Sequence, residues 1–430
     1  MNYTYKQIWL INFPVMMSIL MEQLINITDA IFLGHVGEVE LGASALSGIY
    51  YLAVYMLGFG FSIGLQVMIA RRNGEQHYKE TGRTFFQGVY FLSGMAVILC
   101  LLLHLASPLI LRRLITSDEI FRAVIHYLDW RSFGLLFSFP FLAFRSFLVG
   151  ITTTKALSVA AIMAICINIP FNYLLIFKLN LGISGAAMAS SLAEFGAFIV
   201  LLLYMWMRVD KVKYGLKVVY DGKVLIKLLR LSVWSMLHSF ISVAPWFLFF
   251  VAIEHLGRTE LAISNITRSV STVFFVIVNS FASTTGALVS NLIGARAGKE
   301  LFPVCHKVLR LGYAVGVPLI VMALWGNQWG IGFYTNNDNL VRLAFYPFIV
   351  MLLNYAFALP GYVYINAVTG TGKTKLAFIF QLITILVYLI YLYLLSECFH
   401  ASLTVYMTAE YLFVILLGIQ SIIYLKRKSN

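Results

Sequence analysis

Charge is the scarcest thing in this sequence. Charged residues make up 11% of it, where a soluble globular chain carries about 25%. With 60% hydrophobic residues and a mean hydropathy of +0.86, that shortage excludes an ordinary water-soluble domain. Acidic residues are scarcer than basic ones, 18 against 31, for a net charge of +13. A basic surplus suits nucleic acid, but here the Lys and Arg sit in short loops between apolar runs. No basic stripe with interleaved exposed aromatics accompanies them, so nucleic acid is excluded as a partner. Cysteine is also sparse: Cys100, Cys166, Cys305 and Cys398 form no CxxC and no paired spacing. That excludes a disulfide framework and a Cys/His metal centre. HExxH, Walker A and GxSxG are all missing, and Gly370-Thr-Gly-Lys-Thr374 lacks the phosphate-loop spacing and reads as a turn. No enzyme and no cofactor is expected. No small-residue cleavage site follows a short apolar core, so the first helix is expected to be retained rather than removed.

What the sequence has is apolar runs long enough to cross a bilayer. We place twelve, at about 8–33, 44–70, 85–104, 126–149, 156–178, 184–207, 230–256, 261–293, 309–328, 342–368, 375–396 and 402–425. The third is expected to run on through Ser107 to Leu111, and the eighth to tilt or break at Ser283 to Gly286. With twelve spans, the basic loops fall on one side. They hold Arg71 and Arg72, the stretch from Arg208 to Arg230, Arg296 and Lys299, and the tail Lys426-Arg427-Lys428. Both termini are therefore expected in the cytoplasm, and the protein in a plasma or bacterial inner membrane.

The chain repeats itself. Val36-Gly37 to Glu40-Leu41 recurs as Leu256-Gly257 to Glu260-Leu261, Gly150 with Thr154-Lys155 as Gly370 with Thr374-Lys375, and Pro140 as Pro360. The offset is constant: 257−37, 370−150 and 360−140 all give 220. The expected fold is all-α, with twelve transmembrane helices in two pseudo-symmetric six-helix lobes. Residues 1–207 form the N-lobe, 208–229 a cytoplasmic linker and 230–430 the C-lobe. Six spans per repeat give both lobes the same orientation, with an axis along the membrane normal and a substrate site between them.

Within this scaffold Asp29 stands out. A carboxylate inside a span costs roughly 2.5–3.5 kcal/mol, so it usually faces a cavity or a partner. Asn168 and Asn172 are four apart on one face of the fifth span, and Ala186 and Ser190 four apart on the sixth. Carboxylate, amide, hydroxyl and backbone oxygens suit a hard cation such as Na⁺, and a proton needs only Asp29 and a partner. Interhelical hydrogen-bond glue is the competing reading for the two asparagines.

Asp29 stands just before Phe32-Leu-Gly-His-Val-Gly37, with Leu41 soon after. Gly64-Leu-Gln-Val-Met-Ile-Ala-Arg-Arg-Asn-Gly74-Glu75 follows the second span, and Leu181-Gly-Ile-Ser-Gly185 leads into the sixth. In their order and spacing, over nearly the whole chain, these resemble the multidrug and toxic compound extrusion (MATE) transporters. The resemblance implies a monomeric antiporter that exports small organic molecules, cationic or amphipathic, through a lipid bilayer in exchange for H⁺ or Na⁺. It implies an N-lobe ion site at Asp29, Asn168, Asn172, the carbonyl near Ala186, and Ser190, with Tyr127 hydrogen-bonded to the cluster; Na⁺ would rest on Asp29, Asn168, Asn172 and Ser190. Asn172 departs from members that carry a second Asp there, and Glu194, one turn beyond Ser190, is placed to compensate.

At the same offset Asp29 maps to Phe249, Asn168 to Tyr388 and Asn172 to Leu392, so no matching C-lobe site is expected. Glu410 in the last span needs a partner that the sequence does not name. Glu22, Gln23, Glu194, Trp234, His238 and Trp246 are candidate cavity residues, the aromatics through cation–π and apolar contact. The alternative function is a flippase for lipid-linked saccharides. That would want extra C-terminal spans or a strongly basic cavity, although Arg145 and Arg268 do fall inside spans.

Overall fold

The computed structural model describes residues 3–115, 117–245, 249, 252–253, 258–326, 338–398 and 401–429. Among them every regular element is helical and none is a strand. Twelve helical segments are long and apolar enough to cross a membrane. Several of their hydroxyls turn inward on their own helices: Thr28 Oγ1 donates to the Leu24 carbonyl at 2.7 Å, Ser47 Oγ to Ala43 at 2.7 Å and Thr285 Oγ1 to Phe281 at 2.7 Å. That back-bonding satisfies the donors of these three hydroxyls within apolar helices. All four cysteines are free, Cys100 and Cys305 buried, Cys166 and Cys398 exposed.

The repeat is visible in the backbone. The first half runs α1 (Tyr5–Gly34), α2 (Glu38–Gly74), α3 (Tyr78–Leu114), α4 (Asp118–Arg131), α5 (Leu135–Gly150), α6 (Lys155–Asn172) and α7 (Gly182–Arg208). Helix α8 (Gly222–Ile241) follows, then α9 (Arg258–Gly294), α10 (Leu301–Trp325), α11 (Asp338–Leu353), α12 (Tyr355–Gly370), α13 (Thr374–Tyr393), α14 (Leu403–Tyr406) and α15 (Ala409–Ser429). A 3₁₀ turn at Ser132–Gly134 separates α4 from α5, and Asn354 separates α11 from α12, where 354−134 is again 220. A π-helical turn ends α6 at Tyr173–Lys178 and α13 at Leu394–Cys398. Pro170 precedes the first of these but Ile390 stands at the equivalent place, so the wide turn belongs to the repeat and not to a proline. Left-handed backbone recurs at Gln76 (φ 61) and Arg296 (φ 57), and at Thr152 (φ 60) and Gly372 (φ 84), each pair 220 apart.

Two expectations about single helices meet different outcomes. Helix α3 does run on past Ser107 and Pro108. Helix α9 does not break at Ser283 to Gly286: it is continuous from Arg258 to Gly294.

The chain forms two compact units, Phe13–Phe240 and Met1–Asn12 with Ile241–Asn430. Their seams lie elsewhere than the sequence division at 207 and 230. Helix α8 packs inside the first unit because Gly60 and Gly64 on α2 let its backbone come close. A Cβ added at Gly60 would stand 2.5 Å from the Met236 Cα, and one at Gly64 would meet Ser232. Gly60→Val is expected to lower the melting temperature of purified protein by several degrees, read by fluorescence size-exclusion after heating, because the obstacle is backbone. Only residues 209–221 of the expected linker are non-helical. They are tied to α3: Gln87 Nε2 donates to the Val219 carbonyl at 2.7 Å and accepts at Oε1 from the Asp221 amide at 3.1 Å. In the other unit, the start of α1 is held by Lys307 Nζ on the Tyr3 carbonyl at 3.0 Å and by Thr284 Oγ1 on Asn12 Oδ1 at 3.0 Å.

Candidate functional site

Asp29 lies on α1, 5% exposed, where three neutral donors converge on it. The i, i+4 spacing on α6 stacks Asn168 and Asn172, and Asn172 Nδ2 donates to Asn168 Oδ1 at 3.1 Å. From that face Asn172 Nδ2 donates to Asp29 Oδ1 at 2.8 Å and Asn168 Nδ2 at 3.2 Å. Ser190 on α7 donates to Asp29 Oδ2 and accepts from Asn168 Nδ2 at 3.3 Å. All three partners are buried. Ala186 lies one turn before Ser190 on α7 and is buried as well. Four residues expected to act together, from three helices of one unit, are therefore brought into one hydrogen-bonded cluster.

No cation pairs with this carboxylate among the described residues, and the Asn172 Oδ1 is buried without a partner. The cluster thus offers a net negative charge and a spare carbonyl oxygen, beside amides and a hydroxyl whose oxygens can turn inward. Such a donor set fits a proton or a hard monovalent cation. It does not fit a transition metal: among the described residues no three His, Cys, Asp or Glu side chains gather into a metal site.

Other candidates land elsewhere. Tyr127 is buried on α4, but no hydrogen bond joins it to Asp29; it stands one turn before Arg131. Glu194 does not compensate for Asn172. Arg131 claims it through a fork, Nη1 to Oε2 at 2.8 Å and Nη2 to Oε1 at 2.6 Å, while the guanidinium lies 4.2 Å over the Tyr51 ring. Sequence reasoning missed Arg131; the signal was a basic residue inside a span, one turn after the tyrosine. Glu22 accepts from Tyr55 Oη at 3.1 Å. Arg145 is 2% exposed, 5.8 Å over the Phe59 ring, with its Nη2 unpartnered. Gln23 and His238 are half-buried. Trp234 lines a groove with Ile226, Leu229, Arg230 and Val233 on α8, not the Asp29 cluster. Trp246 lies outside the described residues. In this interior network Arg131 offsets Glu194 in an ion pair, whereas Glu22, bonded to Tyr55, makes none among the described residues and neither does Asp29.

The second unit has an ionic group of its own. Arg268 Nη2 on α9 donates to Glu410 Oε1 on α15 at 3.1 Å, and Tyr388 Oη on α13 donates to the same oxygen at 3.3 Å. Glu410 thus finds the partner that the sequence left unnamed.

The profile of the MatE family matches residues 14–174 and again residues 235–394. The chain belongs to the MatE family. The two matches start 235−14 = 221 residues apart and end 394−174 = 220 apart, so each covers one copy of the repeat. As a MATE protein it is an integral membrane transporter and not an enzyme. A protein of Idiomarina loihiensis described as a probable multidrug resistance protein NorM is 22% identical over 354 residues, 77% of this chain and 73% of the relative. The structure of the eukaryotic MATE transporter AtDTX14 is similar with a TM-score of 0.86 at 17% identity, covering 99% of this chain and 97% of that one. A superfamily transporter from Pyrococcus furiosus, described as having a binding pocket of reversed polarity, is similar with a TM-score of 0.89 at 16% identity, covering 99% and 96%. At those identities the two structures establish the fold and nothing finer.

Proposed function

We propose that this MATE transporter is a secondary active multidrug antiporter. It exports cationic or amphipathic organic molecules in exchange for H⁺ or Na⁺, with Asp29 as the group the ion neutralises. The observation that carries this reading is the hydrogen-bonded Asp29 whose charge no cation meets. A buried carboxylate of that kind is expensive unless something binds to it during function. The ion loads onto Asp29 and cancels its charge, and Asn168, Asn172 and Ser190 keep the side chain in register in both forms. Exchange follows if the ion-loaded and substrate-loaded proteins favour different access states, since a ligand with equal affinity for both shifts nothing. The relatives' description as multidrug resistance proteins supports an organic-drug substrate. The asymmetry of loop charge supports an inner-membrane location with both termini cytoplasmic. We read the working unit as a monomer in lipid.

The test is efflux of ethidium or norfloxacin from proteoliposomes under Na⁺ and H⁺ gradients imposed separately. One gradient should drive substrate uphill, and an ionophore that dissipates it should stop the flow. Equal, purely downhill movement under either gradient would overturn ion coupling.

A further inference from the structure

The ionic group of the second unit occupies the repeat's equivalent of the Asp29 cluster. Phe249, Tyr388 and Glu410 stand at 249−29, 388−168 and 410−190, which all give 220, so they replace Asp29, Asn168 and Ser190. The structure brings these positions together as it does in the first unit. Tyr388 bonds to Glu410 at 3.3 Å, and Arg268 bridges the other two, 3.1 Å from Glu410 and 4.7 Å over the Phe249 ring. The carboxylate has moved from the position of Asp29 to that of Ser190, and an aromatic face stands where the carboxylate was. Both faces receive the same guanidinium. The pair is well enclosed, with side-chain exposures of 5% for Arg268 and 17% for Glu410. The position equivalent to Arg268 in the first repeat is Gly48, which has no side chain to offer Asp29.

We propose that Arg268 is a tethered cation that permanently fills the second unit's counterpart of the ion site. This unit therefore takes no coupling ion, and the transporter moves one ion per cycle. A guanidinium is suited to the part because it cannot be deprotonated in a protein and its flat face stacks on an aromatic ring while its edge bonds a carboxylate. The first unit must bind and release its cation; the second carries one it cannot release. The count of one rests on the Asp29 reading, whereas the blocked second site stands on Arg268, Glu410, Tyr388 and Phe249 alone.

The number of ions per substrate is read in proteoliposomes as the slope of the substrate ratio against the imposed ion ratio, on logarithmic axes, at zero net flux. Wild type should give one, Arg268→Gln two, Arg268→Lys one, and Arg268→Gln/Glu410→Gln one. In the Asp29→Asn background, Arg268→Gln should restore ion-driven efflux with a count of one. If that background is already coupled, the Asp29 reading falls, and a count raised by Arg268→Gln would still uphold the blocked site. A folded Arg268→Gln protein that keeps a count of one overturns the proposal. Should that variant fail to fold, wild type decides. Dicyclohexylcarbodiimide couples to protonated carboxyls in apolar surroundings, and mass spectrometry locates the adduct. Glu410, with its charge met by Arg268, should stay unlabelled in every ion condition. Labelling of Glu410 that the coupling ion prevents would show an open site and sink the idea.

Discussion

Asp29→Asn should leave a folded transporter that no longer moves substrate against a gradient. The substitution is nearly isosteric. The two asparagines both donate to Oδ1, at 2.8 and 3.2 Å, and an amide oxygen placed there accepts them as the carboxylate does. Only Ser190, which donates to Oδ2, must turn its hydroxyl to accept from the new NH₂. The cluster therefore keeps its packing, and expression and melting temperature should stay near wild type. What is lost is the change of charge. A permanently neutral side chain gives the ion no differential grip on the two access states, so gradient-driven efflux should fall to the background of empty liposomes. Downhill exchange should survive. Phe249→Leu, at the equivalent place in the second repeat, should couple normally, because the charge there comes from Arg268 and Glu410. Asn172→Asp separates the ions: sodium dependence should rise if the cluster takes Na⁺, whereas a proton-only site should stay indifferent to sodium. Coupled efflux at the wild-type rate from Asp29→Asn would remove Asp29 from the mechanism.

How much of this could be read from the chain follows from where the information lies. The twelve spans were legible because a bilayer imposes a length and a polarity that any window along the sequence reports. Helical spacing puts Asn168 and Asn172 on one face, but that this face meets Asp29 and Ser190 was legible only through the resemblance to the MATE transporters. The ion pairs were not legible. Glu194 meets Arg131 across 63 residues of sequence, and Glu410 meets Arg268 across 142. Nothing local distinguishes a carboxylate that awaits an ion from one already joined to a guanidinium on another helix. The same blindness made Glu194 look like a substitute for a second aspartate and left the second repeat looking empty. The place of α8 was hidden for a related reason. Gly60 and Gly64 read as ordinary small residues of an apolar run until the helix that needs them is known.

Arg131→Met should be the most destabilising single change among the charged residues, and a second mutation should undo it. The Arg131–Glu194 fork has side-chain exposures of 8% and 13%, so almost no water replaces a lost partner. Removing one member of such a buried pair typically costs about 3–5 kcal/mol, because the other charge is stranded. The guanidinium also covers the Tyr51 ring at 4.2 Å, a contact that methionine replaces only in part. A large drop in melting temperature and poor recovery from detergent are the expected readings. Arg131→Met/Glu194→Leu strands nothing and should regain most of the loss, since apolar replacement of a whole buried pair is often neutral. The Arg112–Asp118 pair supplies the contrast. Its side chains are 56% and 66% exposed, water screens them, and Arg112→Ala should scarcely move the melting temperature. If the double mutant melted as low as Arg131→Met alone, the loss would belong to the packing of Arg131 against Tyr51, and Glu194 would have to be counted as a free charge beside Asp29.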